Sequence, residues 1–296
     1  CMAAMVVVTT SGPADAGVPY TPGDSGVGDP YFPLEGNGGY DAQTYLLDLS
    51  YDPASDRLDG RVVIVATATQ NLSRFNLDLQ GMEVTGLDVN GRSAGFVRDG
   101  QELVVTPARG LRRGLPFTVT VRYGGVPQPQ GGPIIFGQPY GFVPTNDGAY
   151  VGTVPNAAST WFPCNDHPSD KARYGIRVTV PEGLFVASNG RLLTQATVGG
   201  RSTFVWGESS PMAPSSVTAT VGRFTVQKGT TASGIPNLVA IDPQFPLEPT
   251  APDLLTRTSE VVEYYSGIFG PYPFDTTGGI LDFAPESGSL ETQTRP

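Results

Sequence analysis

From Tyr40 onward the chain alternates. In "YDAQTYLLDLSYD" Tyr45, Leu47 and Leu49 share one side of a period-two pattern, as a half-buried strand requires. "DPASD" supplies turn residues, and "LDGRVVIVATATQNL" follows as a second strand rich in β-branched side chains. "FNLDLQGMEVTGLDVNGR" carries two shorter strands, with Asn90-Gly91 marking a hairpin because both residues tolerate the left-handed backbone of a two-residue turn. "ELVVTPARGLRRGLPFTVTVRY" adds two more. After a Gly/Pro-rich loop at 124–149 the pattern resumes in "RYGIRVTVPEGLFVASNG", "TFVWGES" and "SSVTATVGRFTVQ". Strands at intervals of about 8 to 12 residues, with turn signals between them, predict a mostly β fold. We assign residues 40–233 to an N-terminal domain, an antiparallel β-sandwich or saddle-shaped sheet.

The texture changes at "KGTTASGIPN", residues 228–237. "LVAID" beyond it reads as a strand, followed by the one helical pattern. Thr250 can cap that helix, with Pro252 and Asp253 in its first turn. Leu254, Val261, Tyr265 and Ile268 then fall on one face, and Gly270-Pro271 ends the run. The chain closes on a strand, "GGILDF", and on "ESGSLETQTRP". One helix and about three strands make a small unit, so residues 234–296 read as the opening of a mixed α/β domain. At the other end, residues 17–39 are rich in Gly, Pro and Asp and read as a disordered linker with little packing capacity.

Residues 1–16 add a separate signal. Met2–Val8 is apolar and leads to Ala14-Asp15-Ala16, a small-x-small pattern before Gly17, as in the back half of a secretory signal peptide. The run is too short for a membrane span, which takes about 20 apolar residues. A secreted or extracytoplasmic protein is the expectation, and lipidation at Cys1 is disfavoured by the apolar residues that follow it. Charge points the same way as the motifs: 18 basic against 28 acidic residues give a net charge of -10, which argues against nucleic-acid partners. No P-loop or dinucleotide glycine fingerprint occurs. With two cysteines, Cys1 and Cys164, no disulfide framework is indicated. With one histidine, His167, the chain cannot assemble an ordinary catalytic zinc site by itself.

Two stretches carry candidate chemistry. "STWFPCNDHPSDKARYGI", residues 159–176, packs Cys164, Asp166, His167 and Asp170 between prolines. A Cys-His or Asp-His catalytic pair is one reading; a structural corner, with Asp side chains bonded to backbone, is the one the residues favour. "GSLET" is the other. Gly288 and Ser289 allow close backbone approach to a ligand, Leu290 can turn inward, and Glu291 then faces a cleft; the alternative is an ordinary exposed edge strand.

Taken in order, these segments resemble the aminopeptidase-N family of zinc metallopeptidases. "YDAQTYLLDLSYDPASDRLDGRVVIVATATQNLSRFNLDL" resembles its opening β-hairpin. "WFPCNDHPSDKARYGIRVTVPEGLFVASNG" is similar to its Phe-Pro-Cys-x-Asp-x-Pro-x-x-Lys-Ala segment, and "PMAPSSVTATVGRF" to the end of its β domain. "YYSGIFGPYPFD" resembles the first helix of its thermolysin-like catalytic domain, and "GSLET" sits where the family carries Gly-x-Met-Glu-Asn. The likeness covers residues 40–296.

That resemblance implies a secreted zinc aminopeptidase acting on peptides with a free N-terminus, of which this chain is the N-terminal part, ending in the first portion of the thermolysin-like domain. Glu291 becomes the anchor for the substrate's α-amine, with Gly288, Ser289 and Leu290 as the peptide-docking edge. Leu290 and Thr292 stand where relatives usually have Met and Asn. Val154 stands where relatives commonly carry a second acid that shares the amine, which an isopropyl side chain cannot do. The His-Glu-x-x-His zinc motif is absent from these residues, so the resemblance places the metal ligands beyond Pro296 and implies that the chain alone is inactive. A non-catalytic, cell-surface β-sandwich binding module on the same scaffold is the alternative.

Overall fold

A computed structural model describes residues 19–131, 139–154, 156–247, 253–283 and 290–295. The strand Tyr40–Asp52 buries Tyr45, Leu47 and Leu49 on one face, as the alternation requires. The inward set switches from Tyr40 and Ala42 to Tyr45 because a bulge between Ala42 and Thr44 inserts one residue against Arg57–Ala68. Asn90 and Gly91 both take positive φ, 51° and 71°, and close the hairpin between Glu83–Val89 and Arg92–Ser93.

The principal sheet has eight strands. From one edge they run Arg191–Val198, Arg201–Met212, Ala172–Pro181, Tyr40–Asp52, Arg57–Ala68, Pro116–Gly125, Glu83–Val89 and Arg92–Ser93. Two four-stranded sheets accompany it. One is built from Thr21–Pro22, Leu72–Asp78, Glu102–Thr106 and Gly95–Asp99; the other from Gly141–Pro144, Ala149–Gly152, Ala219–Gly222 and Phe185–Ser188. A single apolar cluster joins all three, with Tyr45 stacked on Tyr174 at 5.1 Å and Phe162 edge-on to Tyr45 at 5.9 Å. Full burial of such side chains contributes about 1.5–3 kcal/mol each, which makes these faces the main source of stability.

The fold is mostly β but not wholly antiparallel. Tyr40–Asp52 runs parallel to Ala172–Pro181, pairing Leu47 with Ile176 and Leu49 with Val178. Thr21–Pro22 and Leu72–Asp78 are parallel too. Alternation reports which face is buried and says nothing of a neighbour's direction, so this correction lies beyond what period-two patterning encodes. The linker expectation for 17–39 also needs correcting over its described part. From residue 19 the segment is strapped to the sheets: Thr21 N–H donates to Asn71 O at 2.9 Å, Gly23 N–H to Arg74 O at 2.9 Å, and Asn37 N–H to the Asn165 side chain. Glu35 and Asn37 are buried there. Hydrogen bonding rather than apolar packing holds the strap, which a hydrophobicity reading overlooks.

The last elements are a three-stranded sheet, Thr225–Thr230, Pro236–Ile241 and Thr277–Leu281, and helix α1, Leu254–Phe269. The middle strand is antiparallel to the first and parallel to the last. Asp253 caps α1, its side chain accepting from Thr256 N–H at 2.9 Å, rather than lying in the first turn; residues 250 and 252 lie outside the described set. The face of Val261, Tyr265 and Ile268 does not meet the sheet. Those residues are 45%, 52% and 55% exposed and Phe269 is 80% exposed, whereas Val262 is buried. The sheet side is polar instead: Ala232 N–H donates to Ser259 Oγ, Ser233 N–H to Glu263 Oε1, and Asn237 Nδ2 to Leu255 O.

Candidate functional site

Among the described residues, two places where polar groups are drawn out of water bear on the candidate chemistry, the corner around Cys164 and the segment 290–295. At the corner, Trp161, Phe162 and Cys164 are fully buried. Asp166 Oδ2 accepts from Ser159 N–H at 2.9 Å, Asp78 Oδ2 from Asp166 N–H at 2.7 Å, and Asp170 Oδ1 from Ala42 N–H at 3.1 Å. Glu35 Oε1 accepts from Asn156 Nδ2 at 2.7 Å, tying the N-terminal strap to the same corner. These are backbone and amide donors that would otherwise be orphaned, so the carboxylates work as structural acceptors. Burial is the largest influence on their titration, opposed for Asp166, Glu102 and Glu35 by the hydrogen-bond donors beside them. Asp166 and Glu102 are each pushed up to about 7 by burial, Glu35 is pushed up by burial, and Asp78 lies well above the usual range through burial and then Asp166 and Glu102.

Burial pushes the Cys164 thiol well above its ordinary range, and Asp166 and Asp78 add to it, so the nucleophilic thiolate is disfavoured. His167 turns elsewhere: Nδ1 lies 2.7 Å from Ser169 Oγ and Nε2 3.4 Å from Asp29 Oδ2. Among the described residues no hydrogen bond joins Cys164 to His167. The corner is architecture, as the sequence favours.

The other place contains half of the expected docking edge. Gly288 and Ser289 lie outside the described residues, while Leu290 and Glu291 are described. Leu290 is half-buried over Gly152: a Cβ on Gly152 would fall 2.4 Å from Leu290 Cδ1. Glycine at 152, at the end of Ala149–Gly152, is what admits this approach of Leu290. Glu291 is exposed. Beyond it the chain turns tightly, with Thr294 at φ 67° and the Thr292 hydroxyl donating to Arg295 O.

Contacts made by residues 293, 294 and 295 fasten this turn to other elements. Asn189 Nδ2 donates to Gln293 O, at 2.6 Å, and Gly190 N–H donates to Thr294 Oγ1 at 2.8 Å. The Arg295 guanidinium, 2% exposed, reaches two elements at once. Its Nη2 donates to Gly190 O at 2.9 Å and Thr276 Oγ1 at 3.3 Å, and its Nη1 to Thr277 O at 2.8 Å. The group lies over the Trp206 ring, 5.4 Å from its centroid. Among the described residues it has no ion-pair partner within 4.0 Å, and burial lowers its pKa to about 10. Sequence reasoning singled out neither Arg295 nor Asn189, Gly190 and Trp206. The only signal was a cation in the otherwise neutral "TQTRP", and nothing along the chain shows that this cation becomes buried.

Among the described residues no group of three or more His, Cys, Asp or Glu side chains is arranged to hold a metal ion. With His167 already engaged, the described residues do not fit a zinc centre. No helix among them is long and apolar enough to cross a membrane.

The described residues thus form a mostly β structure of several sheets with one helix, α1. The chain matches the model of the peptidase M1 N-terminal domain over residues 41–216, and it belongs to that family. Solved structures agree. An M1 zinc metallopeptidase from Deinococcus radiodurans superposes with a TM-score of 0.83 at 30% identity, covering 91% of this chain and 62% of that one. A substituted form of that enzyme bound to a Tyr-Ser-Ala substrate superposes with the same TM-score, identity and coverage. A two-domain M1 zinc metallopeptidase bound to L-tryptophan gives 0.84 at 29% identity, with 91% and 63% coverage. The chain therefore spans less than two thirds of the length of these relatives.

Proposed function

We propose that the parent protein is an exported, zinc-dependent aminopeptidase that removes the N-terminal residue from peptides, and that this chain supplies its β domain and the first part of a thermolysin-like catalytic domain. The reading rests on Glu291. Its carboxylate is exposed and available, while the residues on either side are pinned, Leu290 over Gly152 and Thr292–Arg295 in the clamped turn. A carboxylate held between two pinned neighbours selects substrates bearing an α-ammonium. Orienting the substrate in this way lowers the entropic part of the barrier. A relative bound to Tyr-Ser-Ala supports peptides as the substrate class. Val154 offers the amine no second acid, so Glu291 carries it alone. Zinc chemistry would need ligands from outside the described residues, and the open apolar face of α1 supports further protein packing there. Export is supported by the apolar run Met2–Val8 ahead of Ala14-Asp15-Ala16.

The test begins with about 100 codons of the gene past Pro296. A reading frame with His-Glu-x-x-His and a later Glu is the expected result; a stop codon would overturn the proposal in favour of a binding module. In the longer product Glu291→Ala should raise KM for unblocked peptides about 10- to 100-fold, the equivalent of the roughly 1.5–3 kcal/mol of a charged hydrogen bond. The 296-residue chain by itself should release no amino acid in a chelator-sensitive manner.

A further inference from the structure

We infer that Arg295 is a positioning residue: it holds the 290–295 turn at the junction of two sheets and thereby fixes where the Glu291 carboxylate stands. The inference rests on the aminopeptidase reading of Glu291. Its own evidence is the arrangement around the guanidinium.

A buried cation without an ion-pair partner is an expensive component. Stripping a charged group of water costs several kcal/mol even after relaxation, and Tyr272, Glu208 and Asp275 offset that cost only through their field, without a direct ion pair among the described residues. Stability alone therefore gives little reason for an arginine here. Geometry gives one. The planar guanidinium can donate in several fixed directions at once, which neither lysine nor an apolar residue can do. Here it uses them to bridge Gly190 O, at the corner between Phe185–Ser188 and Arg191–Val198, to Thr276 Oγ1 and Thr277 O, at the start of Thr277–Leu281.

The rest of the turn is tied to the same corner. Asn189 holds Gln293 O, and Gly190 N–H holds Thr294 Oγ1. Asn189 is itself fixed, with its Oδ1 accepting from Thr218 N–H at 2.7 Å and its Nδ2 donating to Ser216 O at 3.0 Å. Among the described residues, the hydrogen bonds that fasten 293–295 to other elements run to Asn189 and Gly190 or to Thr276 and Thr277. Glu291 lies between that clamp and the Leu290–Gly152 contact. Its side chain points to solvent, so its position is set by the backbone on either side. With the Arg295 bridge gone, Asn189 and Gly190 would still hold Gln293 and Thr294, but the turn would lose its tie to Thr276 and Thr277 and Glu291 would sample more positions.

The first test uses the chain as it stands. Hydrogen exchange should be faster across 290–295 in Arg295→Met than in the parent, with protection in Tyr40–Asp52 and Ala172–Pro181 unchanged. Thr294→Val removes the acceptor for Gly190 N–H at constant shape, and it should loosen the same amides to a smaller extent even if Arg295→Met folds poorly. Unchanged exchange in both variants would overturn the inference. The second test uses the longer gene product. Arg295→Met should raise KM for unblocked peptides about tenfold while kcat stays within about twofold, and Arg295→Lys should recover only part of the loss. A fall in active fraction at unchanged KM would make Arg295 structural only and sink the inference. If Glu291→Ala leaves KM unchanged, the amine-anchor reading itself fails. If Glu291→Ala raises KM and the Arg295 and Thr294 variants do not, only the positioning role fails.

Discussion

At the scale of single residues, one kind of side chain can do opposite things according to where the backbone leaves it. Asp166 and Glu291 are both carboxylates. Asp166 is buried and spends its oxygen on Ser159 N–H, while Glu291 stands in solvent. The sequence distinguishes them only in part. The corner at 159–176 was legible, because Asp residues between prolines favour bonds to nearby backbone. The exposure of Glu291 fits a cleft-facing acid and an ordinary exposed residue equally, and the buried arginine four residues later was not legible, because a lone cation reads as surface until tertiary contacts cover it. Cys164 shows the same dependence on surroundings. Its thiol is enclosed and held neutral, so alkylation at neutral pH followed by peptide mapping should find Cys164 unmodified in the native protein and modified in denaturant. Rapid native modification would refute the structural assignment of the corner.

At the scale of elements, strands were easier to read than their neighbours. Period-two alternation located Tyr40–Asp52 and its inward face, and Asn90-Gly91 located a hairpin. Nothing local encodes a partner more than a hundred residues away, so parallel pairings stayed hidden. The strap at 19–39 was missed because its contacts are hydrogen bonds from Gly- and Asn-rich backbone, which hydrophobic patterning does not score. Helix α1 gives the clearest inversion. Of the expected stripe, Val261, Tyr265 and Ile268 face outward while Leu254 is half-buried, and Tyr265 stacks on Phe269 at 5.8 Å. Such a stripe contributes little to this chain's own folding. Phe269→Ser should change the unfolding free energy of the chain by less than about 0.5 kcal/mol, as read by urea titration. A loss above about 2 kcal/mol would mean that Phe269 packs within the chain after all.

At the scale of the whole molecule, the buried acids make stability depend on pH in an unusual direction. The native pKa values of Asp166, Glu102 and Asp170 are raised to about 7, above their unfolded values. The folded state therefore binds more protons than the unfolded state across the interval between those values. This contribution is full below the unfolded pKa of a carboxyl and is lost as pH rises through about 7. The thermal midpoint should fall from pH 5 to pH 8, and Asp166→Asn, which keeps the acceptor for Ser159 without the titration, should flatten that slope. A midpoint that rises over the interval would contradict the assignment. The central parallel ladder bears on another matter, the order in which the protein can be made. Thr44 pairs beside Arg173, 129 positions later, so a growing chain must carry Tyr40–Asp52 with one side unpaired until Pro181 has left the ribosome. Closure of so distant a pair is slow, and an open apolar strand is a template for association with other nascent chains. Recombinant yield should thus be governed by translation rate and chaperone supply more than by the stability of the finished fold.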